Sequence, residues 1–205
     1  MKSLDIQSNS ELDMAFEFVY RTNRNVYLTG RAGTGKTTFL NRLRFECPKR
    51  MVIVAPTGVA AINAGGVTIH SLFQLPFAPF FPESSGLINN PLNAIRYRKQ
   101  KIRLLRSIDL LVIDEISMVR ADILDAVDSL LKRYRQSKSA FGGVQVLMIG
   151  DAHQLPPVVK EDEWKMLRMY YKNMYFFNSR AFANSNPVVI ELRQIFRQSN
   201  LDFIL

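Results

Sequence analysis

The stretch TGRAGTGKT at residues 29–37 constrains the chain more than any other, because it holds three glycines and one lysine at the spacing Gly30-x-x-x-x-Gly35-Lys36-Thr37. That spacing is the one in which backbone N–H groups cradle phosphate oxygens, the lysine reaches the terminal phosphates and the following hydroxyl ligates magnesium. The pattern has meaning only where a strand leads in and a helix leads out, since the anion site is the N-terminus of that helix. Both flanks fit. Asn25-Val26-Tyr27-Leu28 is a β-prone run, and Phe39, Leu40 and Leu43 fall on one helical face. A nucleoside triphosphate with Mg2+ is therefore the expected ligand, held by Gly33, Thr34, Gly35, Lys36, Thr37 and Thr38, with Thr37 on the metal.

Further along, Met51–Ala55, Asp109–Asp114, Val144–Ile149 and Val188–Leu192 read as strands whose nearly unbroken apolar runs suit a sheet covered on both faces. Helical spacing recurs between them. Leu12, Phe16, Val19 and Tyr20 mark a helix before the first strand, opened by a capping box at Ser10–Asp13, and Ile123, Val127, Leu130, Leu131 and Tyr134 mark another. Strands alternating with helices predict an α/β fold with a doubly wound parallel sheet. In such sheets ligands bind beyond the carboxyl ends of the strands. Residues 73–92 carry too many prolines for helix or central strand, so residues 77–107 are read as an inserted surface loop followed by a basic helix.

Composition excludes several classes. Of 205 residues, 47% are hydrophobic and 22% charged, as in a soluble globular domain, and no apolar run reaches the roughly 18 residues of a membrane span. No signal-peptide core is visible near the start. The single cysteine, Cys47, is expected to be a buried thiol in a cytoplasmic protein, nucleoid-associated if bacterial. Lys and Arg number 27 against 18 Asp and Glu, a net charge of +9 that favours a polyanionic partner. Arg96, Arg98, Lys99, Lys101, Arg103 and Arg106 lie in one run without an acid, which reads either as a solvated helix face or as a DNA contact.

Two more segments carry chemistry. Ile113-Asp114-Glu115-Ile116-Ser117 ends a strand in paired carboxylates: Asp114 is assigned to the metal and Glu115 to the attacking water. Two acids capping the next helix is the alternative. Gly150-Asp151-Ala152-His153-Gln154-Leu155-Pro156-Pro157 is a stiff loop whose Gln154 amide is placed to feel the γ-phosphate, or else a simple turn. Arg193 and Arg197 follow the last strand and suit a transition-state clamp.

In order, GRAGTGKT, APTGVAA with GGVTIHSLF, VIDEISMV, GDAHQLPPV and LRQIFRQ resemble motifs I, Ia, II, III and IV of superfamily-one DNA helicases of the Pif/RecD-like group, over nearly the whole chain. The resemblance implies a RecA-like P-loop ATPase domain with sheet order 5-1-4-3-2, preceded by a helical segment over residues 1–24, and a motor that moves 5′ to 3′ on single-stranded DNA. It makes ATP the nucleotide, Gln154 the γ-phosphate sensor, Arg197 a γ-phosphate contact, and Thr57, Gly58 and His70 contacts to the strand. His70 also reads as a core histidine. Phe73, Phe77, Phe80 and Phe81 read as base-stacking rings or as core. Gln7 is the counterpart of an adenine-reading glutamine. The implied partners are single-stranded DNA, DNA junctions and a second RecA-like domain bearing motifs V and VI, with no membrane and a monomeric state. On this reading residues 1–205 form one first motor domain, expected to hydrolyse ATP poorly and not to unwind DNA by itself. A small-molecule kinase and a nucleotide-dependent binding switch are the competing functions.

Overall fold

In a computed structural model, which describes residues 10–82, 91–151 and 153–196, the phosphate loop lies between the strand and helix expected of it. The elements in chain order are α1 (Ser10–Arg21), β1 (Val26–Gly30), α2 (Lys36–Glu46), β2 (Met51–Ala55), α3 (Gly58–Asn63), β3 (Val67–Thr68), α4 (Ile69–Phe73), α5 (Lys99–Ser107), β4 (Leu110–Ile113), α6 (Ala121–Arg135), β5 (Gln145–Gly150), α7 (Glu161–Leu167), α8 (Arg180–Ser185) and β6 (Val188–Leu192). The six strands form one sheet in the order β3-β2-β4-β5-β1-β6, and every named pairing is parallel. The five expected strands keep the order 5-1-4-3-2. The two-residue β3 is an addition at the edge beyond β2.

The apolar strand runs are explained by the two cores. Val26 and Leu28, Leu110 and Val112, and Leu147 and Ile149 point to the face covered by α1 and α2. Their neighbours Tyr27, Leu111, Ile113, Val146 and Met148 point to the face covered by α4, α5 and α6. β1, β4 and β5 thus alternate between two buried faces, whereas β6 at the edge leaves Val189 and Glu191 exposed. Phe39, Leu40 and Leu43 bury one side of α2 against the first core, as the spacing predicted. Strand ends shift slightly: Thr29 and Gly30 extend β1, whereas Asp109 and Asp114 flank β4.

Three sequence readings change. Cys47 is half-buried at the end of α2, its side chain against the first core, rather than fully enclosed. Ser10 is a helical residue whose hydroxyl donates to Glu11 (3.2 Å), a neighbour bond and not the reciprocal arrangement of a capping box. The proline-rich segment is more than a surface loop: Phe73 is fully buried, Phe80 is 3% exposed, and Leu92 joins the same core. Prolines end a helix without preventing burial.

What anchors that segment is α6, a helix with three buried acids. Asp122 accepts from the Phe80 N–H (3.1 Å) and pairs with Arg120 (2.7 Å), which reaches Glu163 on α7 (2.6 Å). Asp128 accepts from the Phe141 N–H (2.6 Å) and Lys132 (2.7 Å). Asp125 accepts from Tyr171 Oη (2.8 Å) and from the N–H groups of Ala181 (2.7 Å) and Arg180 (3.3 Å). Burial pushes its carboxyl upward, and these donors oppose that push. Among the described residues no helix is long and apolar enough to cross a membrane.

Asp125→Ala strips the acceptor from a buried hydroxyl and two backbone N–H groups, so it should lower folding stability by about 2–4 kcal/mol. Asp125→Asn, which keeps one acceptor oxygen, should lose less. Urea midpoints of the two variants test this; equal midpoints in wild type and Asp125→Ala would refute the anchoring role.

Candidate nucleotide and nucleic-acid site

The phosphate loop is shaped by close packing on both sides. A Cβ at Gly30 would lie 2.8 Å from Leu192 Cβ and 2.8 Å from Thr34 Oγ1, so only glycine lets β1 turn away under β6. Thr34 is buried and donates from Oγ1 to Arg31 O (2.8 Å), which closes the loop. Gly35, at φ 90°, caps α2 in the left-handed conformation that glycine adopts without strain. The first backbone bond of that helix runs from Phe39 N to Gly35 O (2.8 Å), no side chain caps it, and its first turn carries no acid. The N–H groups of Lys36, Thr37 and Thr38 are thus the orphan donors of a helix start, where the dipole favours an anion. Thr37 and Thr38 are exposed there.

Lys36 does not project freely into solvent. It is half-buried, and its Nζ donates to the carbonyl oxygens of Gly30 (2.6 Å) and Arg31 (3.0 Å). Burial lowers its pKa, while attraction from Asp151, then Glu115, then Asp114 raises it. Those acids arrive from two neighbouring strands. Asp114 continues the ladder past β4 with its N–H on Val54 O (2.8 Å), and its Oδ1 accepts from the Glu115 N–H (3.0 Å). Burial pushes the Asp114 carboxyl up, and the Glu115 N–H, with Lys36 after it, opposes that push. Glu115 sits at φ 52°, ψ 44°, a left-handed conformation that costs a non-glycine residue about 1–2 kcal/mol and is typical of functional turns. Its side chain caps no helix, so the capping alternative for this pair fails at Glu115.

Sequence reasoning missed Asp151. It is 4% exposed, follows β5, and supplies the largest attraction on Lys36. The available signal was its position: an acid directly after a strand at the carboxyl edge, as Asp114 is. Its Oδ1 accepts from the His153 N–H (3.0 Å) and its carbonyl from the Gln154 N–H (3.0 Å), which forms the turn that presents the exposed Gln154 side chain. β5 and the carboxylate segment touch closely: a Cβ at Gly150 would lie 3.0 Å from the Ile116 nitrogen.

The segment after β6 covers the loop. Phe196 N–H donates to Gly33 O (2.9 Å), and the Phe196 ring, with Leu12 of α1, borders the space above Gly35. Arg193 pairs at the surface with Glu191 (3.5 Å). Arg197 and Gln7 lie outside the described residues.

Two of the three expected DNA contacts share the edge beyond β2. Thr57 caps α3, its Oγ1 accepting from Ala60 N–H (3.2 Å), which leaves the hydroxyl proton and one lone pair for a ligand. Nothing lies within 4 Å of a Cβ placed on Gly58, so that backbone faces open space. His70, on α4, is half-buried and stacks on the ring of Phe77 at 5.2 Å and 11°, with Phe77 itself 92% exposed. Burial, and after it Arg120, lower the His70 pKa, which favours the neutral ring. Of the four phenylalanines, Phe73 and Phe80 are core, and Phe81 packs against Tyr170 (5.4 Å). Only Phe77 offers a free face.

Gly30→Ala should separate β1 from β6 at the loop, lowering stability by about 1–3 kcal/mol and weakening binding of an ATP analogue. Thermal unfolding and calorimetry test it; a variant with wild-type values for both would show that Leu192 moves aside freely.

Comparisons with known proteins give this geometry a context. The profile of the PIF1-like helicase family matches residues 5–203. ATP-dependent DNA helicase PIF1 of Candida albicans is 36% identical over 179 residues, which is 85% of this chain and 19% of that protein. The human PIF1 helicase is 34% identical, across 88% of this chain and 26% of its own. Among solved structures, Pif1 helicase from Bacteroides in complex with ADP-AlF3 and ssDNA is 44% identical, with a TM-score of 0.86, over 98% of this chain and 45% of that one. The chain therefore spans about a fifth to a quarter of those curated relatives and less than half of that solved structure. With its phosphate loop, paired carboxylates and parallel sheet in the expected places, the chain belongs to the PIF1-like helicase family.

Proposed function

We propose that this chain is the first motor domain of an ATP-dependent DNA helicase that moves 5′ to 3′ along single-stranded DNA. One observation carries the reading: Lys36 and the uncapped start of α2 face Asp114, Glu115 and Asp151 on the same sheet edge that presents Thr57, Gly58 and His70. A nucleotide and a strand bound along one edge share the loops between them, which is the arrangement that coupling hydrolysis to grip requires.

Each residue then has a task. The N–H groups from Gly33 to Thr38 hold the phosphates, and Lys36 exchanges its bonds to Gly30 and Arg31 for bonds to the terminal phosphates. Glu115 accepts a hydrogen bond from the attacking water and orients it, while Gln154 reads the γ-phosphate from the turn set by Asp151. Thr37 and Asp114 would hold magnesium, which would supply positive charge to offset that of the phosphates. Among the described residues no cluster of three His, Cys, Asp or Glu is arranged to hold a metal, so such an ion would take part of its shell from phosphate oxygens and water. Arg197, outside the described residues, is proposed to contact the γ-phosphate. Gln7 is proposed to read the adenine. Closure by a second RecA-like domain would complete the charge clamp, and DNA junctions are the proposed substrate of the whole motor, acting as a monomer in the cytoplasm.

ATP hydrolysis by the full-length enzyme, measured with and without a single-stranded oligonucleotide, tests the reading against a kinase or a binding switch. The helicase reading expects stimulation by DNA; hydrolysis indifferent to DNA would overturn it. Lys36→Ala should abolish binding of a non-hydrolysable ATP analogue in a folded protein, and unchanged calorimetric affinity would refute its role. Glu115→Gln should retain nucleotide but slow DNA-stimulated hydrolysis in the full-length enzyme by about 10² to 10⁴. Wild-type turnover in that variant would make Glu115 a structural acid.

A further inference from the structure

The basic run at residues 96–106 is not spread evenly around its helix. Arg106, though exposed, is held to α6 by donating to Tyr134 O (2.9 Å). Arg96, Arg98 and Lys101 instead converge, with Gln74, Gln100 and Leu104, on an open groove of about 420 Å³ between the end of α4 and the start of α5. Arg98 is the cap residue of α5, and Lys101 lies one turn further on the same side. Among the described residues no carboxylate pairs with any of the three cations. Arg96 uses Nη1 on the carbonyls of Asn93 (2.6 Å) and Ile95 (3.3 Å), which fixes its stem and leaves the rest of its fork for a ligand. Burial lowers the Lys101 pKa, and no acid contributes to its surroundings. Three cations gathered without a counter-ion repel one another; a polyanion relieves that repulsion.

Position and chemistry narrow the partner. Gln74, in the groove, is the C-cap of the short helix that carries His70, so the groove lies within about 6–8 Å of axial rise from that residue. The groove is lined by cationic, amide and aliphatic side chains and by no ring, whereas the exposed Phe77 ring, stacked on the half-buried His70, stands on the neighbouring surface. Unpaired bases are held by stacking on rings, and paired bases expose mainly their phosphates. We propose that the groove between α4 and α5 holds the phosphate backbone of duplex DNA, independently of sequence, beside the unpaired strand that passes Thr57 and His70. This rests on the DNA-motor reading above and adds to it a second DNA surface on the same domain.

The test compares the full chain with its Arg96→Ala/Arg98→Ala/Lys101→Ala variant by fluorescence anisotropy on two labelled probes, a single strand and the same strand extended by a duplex segment. Arg96 and Arg98 are exposed and Lys101 half-buried, so the variant should fold; circular dichroism checks this, and the Arg96→Lys/Arg98→Lys protein, which keeps both charges, should bind like wild type. The expected result is a loss of about tenfold or more on the tailed duplex, a log–log salt slope shallower by about 2–3, and single-strand affinity within twofold of wild type. Equal losses on both probes would put the groove on the single-strand path and overturn the duplex assignment. Unchanged binding to both would make the run a solvated helix face. Failure of wild type to bind either probe would instead remove the DNA-motor reading itself.

Discussion

β1 is hydrogen-bonded on both sides, to β5 from Val26 to Thr29 and to β6 from Val26 to Gly30, and the rest of the site depends on that placement. Because the neighbours are parallel, their carboxyl ends fall on one edge, so the loop after Gly30 meets Asp151 after β5 and Phe196 after β6. One strand further, β4 delivers Asp114 and Glu115, and β2 beyond it delivers Thr57 and Gly58. A residue at the end of each strand needs no contact in sequence to share a cleft. The price of this arrangement is two buried faces, which is why every strand near the centre is apolar throughout.

The charge balance at the loop follows from the same edge. Lys36 is half out of water and would be destabilised as a cation, yet three carboxylates lie within its field and two carbonyls accept its protons. These carbonyl bonds hold the side chain against its own loop in a geometry that phosphate oxygens replace with stronger, charge-assisted bonds. Asp114 is held in a complementary state: burial opposes its charge and Lys36 supports it. A polyphosphate with its cation would exchange partners among groups already assembled, rather than assemble them.

On the opposite side of the sheet, α6 does comparable structural work with acids instead of apolar groups. Asp122, Asp125 and Asp128 recur every three residues along one side of the helix and bind backbone N–H groups from Phe80, Ala181 and Phe141, which belong to three separate chain segments. Loops without regular hydrogen-bonding ladders need such acceptors when they are buried. The same helix therefore holds the proline-rich insertion, the turn before β5 and the start of α8. Through Phe80 it also steadies the segment that leads from α4 toward the basic groove.

The sequence by itself determined the periodic elements and the residues of the phosphate loop and the carboxylate pair, since these rest on spacings of one to four residues that local backbone geometry enforces, whereas the order of the five principal strands came from the resemblance to a known family. It left His70 and the four phenylalanines ambiguous, because an aromatic ring looks the same in a sequence whether a core or a solvent-facing neighbour covers it. Only the tertiary structure decided that Phe73 and Phe80 are core, that Phe77 is exposed and stacked on His70, and that Lys36 bends onto its own loop. It alone showed that Asp151 faces Lys36 and that the acids of α6 are buried anchors. In α6 a polar residue every third position reads as a wet face, and burial follows only when distant N–H groups arrive to satisfy it. Those outcomes depend on partners tens of residues away, and their physical cause is the crossing of separate strands at one edge, which no local spacing encodes.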